Sequence, residues 1–184
     1  PPIKYGVDPP QPVQWTQWQR DLNRKIVEYA HARGMKTVSP AVSGMVPPEI
    51  KRVYPNARTF QSIWPGPDRY AQTYLHPNDP LYHSTGKAFL EAYNTLYGTD
   101  HIYWLENYLE CSIRADSAVQ NEVRREIAGA NFRVIDEVDP KGVGLLSTWT
   151  YSNQPREWLR TLVEEHFDRA PKDPTLLNDM GNVL

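Results

Sequence analysis

The chain has 184 residues, 40% of them hydrophobic and 23% charged, with a formal net charge of −2. That balance carries no electrostatic footprint of a nucleic acid or anionic membrane partner, and no apolar run approaches the roughly 18 residues of a membrane-spanning helix. One cysteine, Cys111, excludes an internal disulfide and offers no metal-ligand spacing.

Residues 1–14 hold five prolines and no apolar period, and read as an extended arm. The opening Pro1-Pro2 reads as a processed or excised piece, with any leader out of view. Residues 15–184 read as one domain. Over 15–33, Trp18, Leu22, Ile26 and Tyr29/Ala30 recur at helical spacing, and Gly34 ends the helix. A strand is predicted over 35–42, then a turn at Ser43-Gly44 and Pro47-Pro48 into a short helix ending near Tyr54. Residues 55–79 are the least regular, with one candidate strand at 58–63; so long an irregular segment is expected to build a binding site. Asp79-Pro80 has the chemistry of a helix start, and that helix runs to Tyr97 with Leu81, Phe89, Tyr93 and Leu96 inward.

Gly98 then stops the helix, and His101-Ile-Tyr-Trp-Leu105, short and rich in aromatic and β-branched residues, predicts a buried strand. Ser117-Ala-Val-Gln120 has the pattern of a capping box, with Ser117 as N-cap. Its helix carries Val119, Val123, Ile127, Val134 and Ile135 on one stripe, with a possible kink at Gly129, and Asp139-Pro140 stops it. A strand follows over 142–149, then a helix from Gln154-Pro155 and a last strand over 175–179. The alternation predicts α/β architecture with parallel strands and right-handed crossovers. A full (β/α)₈ barrel takes about 250 residues, so a partial TIM-type barrel is expected.

Glu110 lies where such a barrel presents an acid, just past the strand ending at Leu105. A carboxyl with its pKa raised by Tyr108 and Leu109 could protonate a leaving oxygen; a solvated loop glutamate is the plain alternative. Continued alternation would put Glu106, Tyr108 and Glu110 on one face, where Glu106 is half of an acid pair, a residue that orients a substrate hydroxyl, or a salt-bridge partner of an arginine such as Arg114. Trp149 and Tyr151, and more weakly Trp64, could floor a sugar subsite or pack in the core. Asn107 and Tyr103 are counted with them on the substrate side. His101 reads as a hydrogen-bonded structural residue and His76 as a loop residue. Asp179 ends the last strand, either as a second catalytic carboxylate or as part of a plain turn. Glycine-rich nucleotide loops, Gly-x-Ser-x-Gly and His-Glu-x-x-His are all missing from the sequence.

Several pieces, in order and spacing, carry a resemblance: Arg33-Gly-Met-Lys-Thr-Val-Ser-Pro-Ala-Val-Ser-Gly-Met-Val-Pro47, Ile50-Lys-Arg-Val-Tyr-Pro55, Asp79-Pro-Leu81, Tyr97-Gly-Thr-Asp-His-Ile-Tyr103 and Trp149-x-x-x-x-Gln-Pro-x-x-Trp158. From about Trp15 to Asp179 the chain resembles the central part of the catalytic barrel of the α-N-acetylglucosaminidases, glycoside hydrolase family 89. The resemblance implies that Glu110, seven residues after Tyr103, is the general acid/base and that Trp149 lies near the sugar. Where the family has asparagine before its acid this chain has Leu109, and Met45 replaces a family histidine. With Asp179 aligned to the family's strand-ending aspartate, the nucleophile position falls on Val183.

The resemblance and the residues together lead to an expected glycosidase that removes terminal α-linked N-acetylglucosamine by two-carboxylate chemistry, with no metal or organic cofactor. Its partners would be a carbohydrate substrate and further segments of its parent chain or an assembly, in an extracellular, periplasmic or lysosomal setting by resemblance. The other expectation is a catalytically inert, barrel-derived carbohydrate-binding or structural component.

Overall fold

The computed structural model describes residues 12–63, 71–105 and 112–146. Its elements run α1 (Val13–His31), β1 (Ser39–Pro40), β2 (Met45–Val46), α2 (Ile50–Val53), β3 (Thr59–Ile63), β4 (Gln72–Leu75), α3 (Pro80–Tyr97), β5 (Ile102–Leu105), β6 (Ser112–Arg114), α4 (Ser117–Val138) and β7 (Val143–Leu146). They form two sheets. Strands β1-β5-β7 are parallel, with Ser39 beside Tyr103 and Tyr103 beside Gly144. Strands β2-β4-β3-β6 are antiparallel throughout.

The first sheet, with helices between its strands, is the expected βα architecture; among the described residues it does not close into a barrel. The second sheet was not foreseen. Residues 55–79 supply β3 and β4, where the sequence suggested a single strand. Gln72-Thr-Tyr-Leu75 is only half apolar, and its pairing with β3 is a non-local choice that no local pattern announces.

Several elements start and stop for the reasons their residues suggest. Asp79 caps α3, its Oδ1 accepting from the Leu81 amide at 2.8 Å, with Pro80 at the first helical position. Helix α4 begins as expected but is capped one residue earlier. Asp116 Oδ1 accepts from Val119 N (2.9 Å), while the Gln120 side chain donates to Ala115 O (2.8 Å). Asp is as good a cap as Ser, and here it outcompetes its neighbour. Strand β1 is two residues rather than eight. Pro40 has no N–H to offer and suits an edge, not a long paired strand.

The core lies between the parallel sheet and α3 and α4. Val123, Ile127, Ala130, Val134 and Ile135 of α4 are buried there, close to the expected stripe. Helix α3 is turned from its expected face. Tyr82, Gly86 and Leu90 point inward, whereas Phe89 is 45% exposed and Leu96 is also exposed. The reason is Gly86, where a Cβ would stand 2.9 Å from both Val42 methyls. Its bare backbone lets the helix approach the sheet along that line. The apolar residues of α1 behave differently again, for none of its residues is buried.

The N-terminal edge of the parallel sheet is held by two carboxylates. Asp139, just after α4, accepts from the Tyr103 hydroxyl (2.9 Å) and meets His101 Nδ1 at 2.8 Å, which steadies His101 at φ +65°. His101 is therefore the structural residue expected. Asp100 Oδ2 accepts from Thr37 N (2.6 Å) and Thr37 Oγ1 (2.7 Å) and lies 2.7 Å from His31 Nε2. Desolvation alone would raise the Asp100 pKa, but the Thr37 hydrogen bonds and His31 outweigh it and bring it down to about 2. The folded value lies below the ordinary 3.8. This contribution is thus fully present above about pH 4 and is lost as pH falls towards 2. The urea midpoint of the native chain should drop between pH 5 and pH 2 more steeply than that of Asp100→Asn; parallel profiles would reject the assignment.

Candidate active site

Catalytic groups of (β/α) barrels gather at the C-terminal ends of the strands. Here β1 and β5 are neighbours, and each passes beyond that end into an outer strand of the antiparallel sheet. Residues 41–44 lead from β1 to β2 and residues 106–111 lead from β5 to β6. The antiparallel sheet thus joins the ends of two adjacent parallel strands.

The 41–44 turn is fixed from below. The Tyr82 hydroxyl donates to Val42 O (2.9 Å), and Val42 N donates to Asn131 Oδ1 (3.2 Å). Burial pushes the Tyr82 phenol far above its ordinary pKa, so it remains a donor. Gly44, at φ +73°, accepts from Leu75 N (2.8 Å) and ties the turn to β4. On the other side, β6 pairs with β3, Ser62 beside Ile113. Phe60 and Tyr74 stack at 5.7 Å and are buried with Ile113 beneath this sheet.

Of the residues expected to act, Glu106, Asn107, Glu110, Trp64, Trp149, Tyr151 and Asp179 lie outside the described residues. Tyr103 is described and has no surface open to a ligand. Its hydroxyl accepts from Asn94 Nδ2 (2.8 Å) and donates to Asp139, at the sheet edge opposite the candidate site. Tyr103 serves the core.

Its neighbour Trp104 faces the other way. In register with Pro40 and Leu145, Trp104 lies on the sheet face away from α3 and α4 and is 47% exposed. Sequence reasoning passed over it. The alternation Ile102-Tyr103-Trp104-Leu105 was a usable signal, since period 2 must send Trp104 opposite to Tyr103. Asn131, buried amid the apolar stripe of α4, was missed as well. Its isolation among apolar neighbours was the available clue, because a buried amide needs partners.

The described carboxylates narrow the chemistry. Asp79 accepts from the amides of Arg58 (2.6 Å) and Leu81, and Asp100 and Asp139 are engaged as described above. Glu122 pairs with Arg58 at 3.1 Å. Each is committed to a structural contact. Among the described residues no group of three or more His, Cys, Asp or Glu side chains is arranged to hold a metal ion, and no helix is long and apolar enough to cross a membrane.

A family model described as the alpha-N-acetylglucosaminidase (NAGLU) TIM-barrel domain matches residues 3–182. The alpha-N-acetylglucosaminidase of Homo sapiens is 27% identical over 176 residues, which cover 94% of this chain and 23% of that protein. The chain therefore spans about a quarter of the length of the curated relative it matches.

Proposed function

We propose, from the premise that this chain belongs to the alpha-N-acetylglucosaminidase TIM-barrel family, that it is the part of a glycoside hydrolase barrel that supplies the general acid/base. The substrate class is a glycan ending in α-linked N-acetylglucosamine. The observation that carries this reading is the place of Glu110 in the chain. It follows Leu105, the last residue of β5, by five positions, on the segment leaving the C-terminal end of a central parallel strand. Glu110 protonates the glycosidic oxygen as the bond to the anomeric carbon breaks, then takes a proton from the incoming water. In a retaining route a second carboxylate about 5–5.5 Å away attacks the anomeric carbon. With Asp79, Asp100, Asp139 and Glu122 engaged in structural contacts, Asp179 is the candidate named within this chain. Trp149, Tyr151 and Trp64 would stack on sugar rings, and Glu106 and Asn107 would bind hydroxyls. Incubation with an α-N-acetylglucosaminide and detection of released N-acetylglucosamine tests the activity; release equal to that of Glu110→Gln rejects it.

We also infer that further (β/α) units of a parent polypeptide complete the ring. Two open apolar surfaces support this. Trp18 of α1 is 60% exposed, in line with exposed Trp15, Leu22, Ile26 and Tyr29, and Trp104 is open on the inner sheet face. In complete barrels the inner face is filled by side chains from the other strands, and exposed apolar stretches of this extent mark contact surfaces. In versions retaining only Trp18 or only Trp104, emission should lie further to the blue in the longest natural polypeptide containing this chain than in the 184-residue chain. Unchanged emission at both positions rejects the closure. A second reading, an inert carbohydrate-binding component, is favoured by Leu109 in the place of the family's asparagine; glycan binding without release of sugar would select it.

A further inference from the structure

His76, directly after β4, is 3% exposed and takes no part in the chemistry proposed above. Its backbone N–H donates to Arg58 O (2.8 Å) and its carbonyl accepts from Asp79 N (2.8 Å). In the ring, Nδ1 accepts from Asn78 N (3.2 Å). Nε2 lies 3.5 Å from Glu122 Oε1 and 3.4 Å from Arg58 Nη2. The charged groups facing it are Arg58 from the approach to β3, Asp79 from the α3 cap, and Glu122 and Glu126 from α4. One imidazole therefore touches the start of β3, the end of β4, the entry to α3 and the flank of α4.

An imidazole nitrogen that accepts from an amide carries no proton. A neutral ring can accept at one nitrogen only, and the Asn78 contact at 3.2 Å is shorter than that of the donor Arg58 Nη2 at 3.4 Å, which sets His76 as the neutral Nε2–H tautomer with Glu122 Oε1, 3.5 Å away, as the acceptor beside Nε2. A second proton would turn Nδ1 into a donor facing another donor, and the corner would lose that bond. We propose that His76 is a pH-sensitive joint, which when neutral pins the antiparallel sheet to α3 and α4 and when protonated lets that corner open while β1-β5-β7 stays paired.

Burial, and secondarily the positive Arg58, hold the His76 pKa below its ordinary 6.5, against the smaller pull of Glu122, Glu126 and Asp79. With the folded value depressed, the contribution of His76 is complete above about pH 6.5 and is lost as pH falls below it. The joint stands on described residues alone, so its test needs no enzymatic readout.

Two measurements on the 184-residue chain decide it. Ring ¹⁵N shifts should give the Nε2–H tautomer at pH 7 and a titration midpoint below that of a free imidazole. Amide exchange, corrected for intrinsic pH dependence, should show protection across β3 and β4 falling about tenfold from pH 7 to pH 5, with Tyr103 and Leu105 changing less than about twofold. In His76→Gln this pH response should vanish. An Nδ1–H tautomer, an ordinary or raised midpoint, equal loss in both sheets, or a response that survives in His76→Gln would each overturn the proposal. The tautomer and midpoint come from the native chain, and they decide the matter should the variant not fold.

Discussion

Glu110→Gln is expected to lower turnover of an α-N-acetylglucosaminide with a poor leaving group by about 10²–10⁴-fold, the usual worth of a general acid. On an activated aryl glycoside, whose leaving oxygen departs without a proton, the loss in bond cleavage should be much smaller. The contrast is the test, because a glutamine keeps the size and hydrogen-bonding reach of glutamate while removing the transferable proton. Equal losses on both substrates would assign Glu110 to binding or folding instead. A rise in KM with kcat unchanged would mean that only uniform binding was removed. Glu106→Gln is the matching control, since a residue that binds a hydroxyl should show little dependence on the leaving group.

The second large effect concerns stability. Gly34 and Gly44 both sit at left-handed φ, +71° and +73°, so alanine at either carries a backbone penalty of about 1–2 kcal/mol. They differ in surroundings. A Cβ on Gly34 meets nothing within 4 Å, whereas one on Gly44 would stand 2.6 Å from Tyr82 Cε2. The Tyr82 ring is fully enclosed and tied by its hydroxyl to Val42 O, so it cannot yield without breaking that bond. Overpacking of this kind typically costs about 1–3 kcal/mol more. Urea denaturation should therefore rank Gly44→Ala well below Gly34→Ala, and equal midpoints would mean that the 41–44 turn is not pressed against Tyr82.

The contrast between these glycines shows what the sequence could reveal and what it hid. Gly34 as a helix terminus, the Asp79-Pro80 start and the Asp139-Pro140 stop rest on chemistry within a few residues, and each was legible. So was β5, whose aromatic and β-branched run has one natural state. The face of α3 was not, because Gly86 adds no hydrophobicity to a stripe and yet decides which side can reach Val42. The β3–β4 pairing was hidden for a related reason, as partners chosen across a chain leave weak marks in either strand. His76 is the loop residue its position suggested, just after β4, but its burial and its contacts with Arg58 and Glu122, which lie elsewhere in the chain, left no local mark. For the candidate site, the resemblance points to Glu110 and Trp149 through motif order, and both lie outside the described residues. That Trp104 faces opposite to Tyr103 needed only the strand's alternation, and the role of Asn131 needed the fold.

The two outer strands of the antiparallel sheet also bear on the order of events as the chain folds. Strand β6 finds its place against β3, with Gln61 opposite Arg114, a separation of 114 − 61 = 53 residues. Strand β5 can meet β7 across a shorter separation, Tyr103 opposite Gly144 or 144 − 103 = 41 residues, whereas its pairing with β1, Ser39 opposite Tyr103, spans 103 − 39 = 64, and the longer closures follow the shorter ones. The segment bearing Glu110 thus acquires its second anchor late in assembly. If Glu110 is the proposed acid, the activity that depends on it should mature after β5 and β7 have paired, so that early protection and late competence become separable in time.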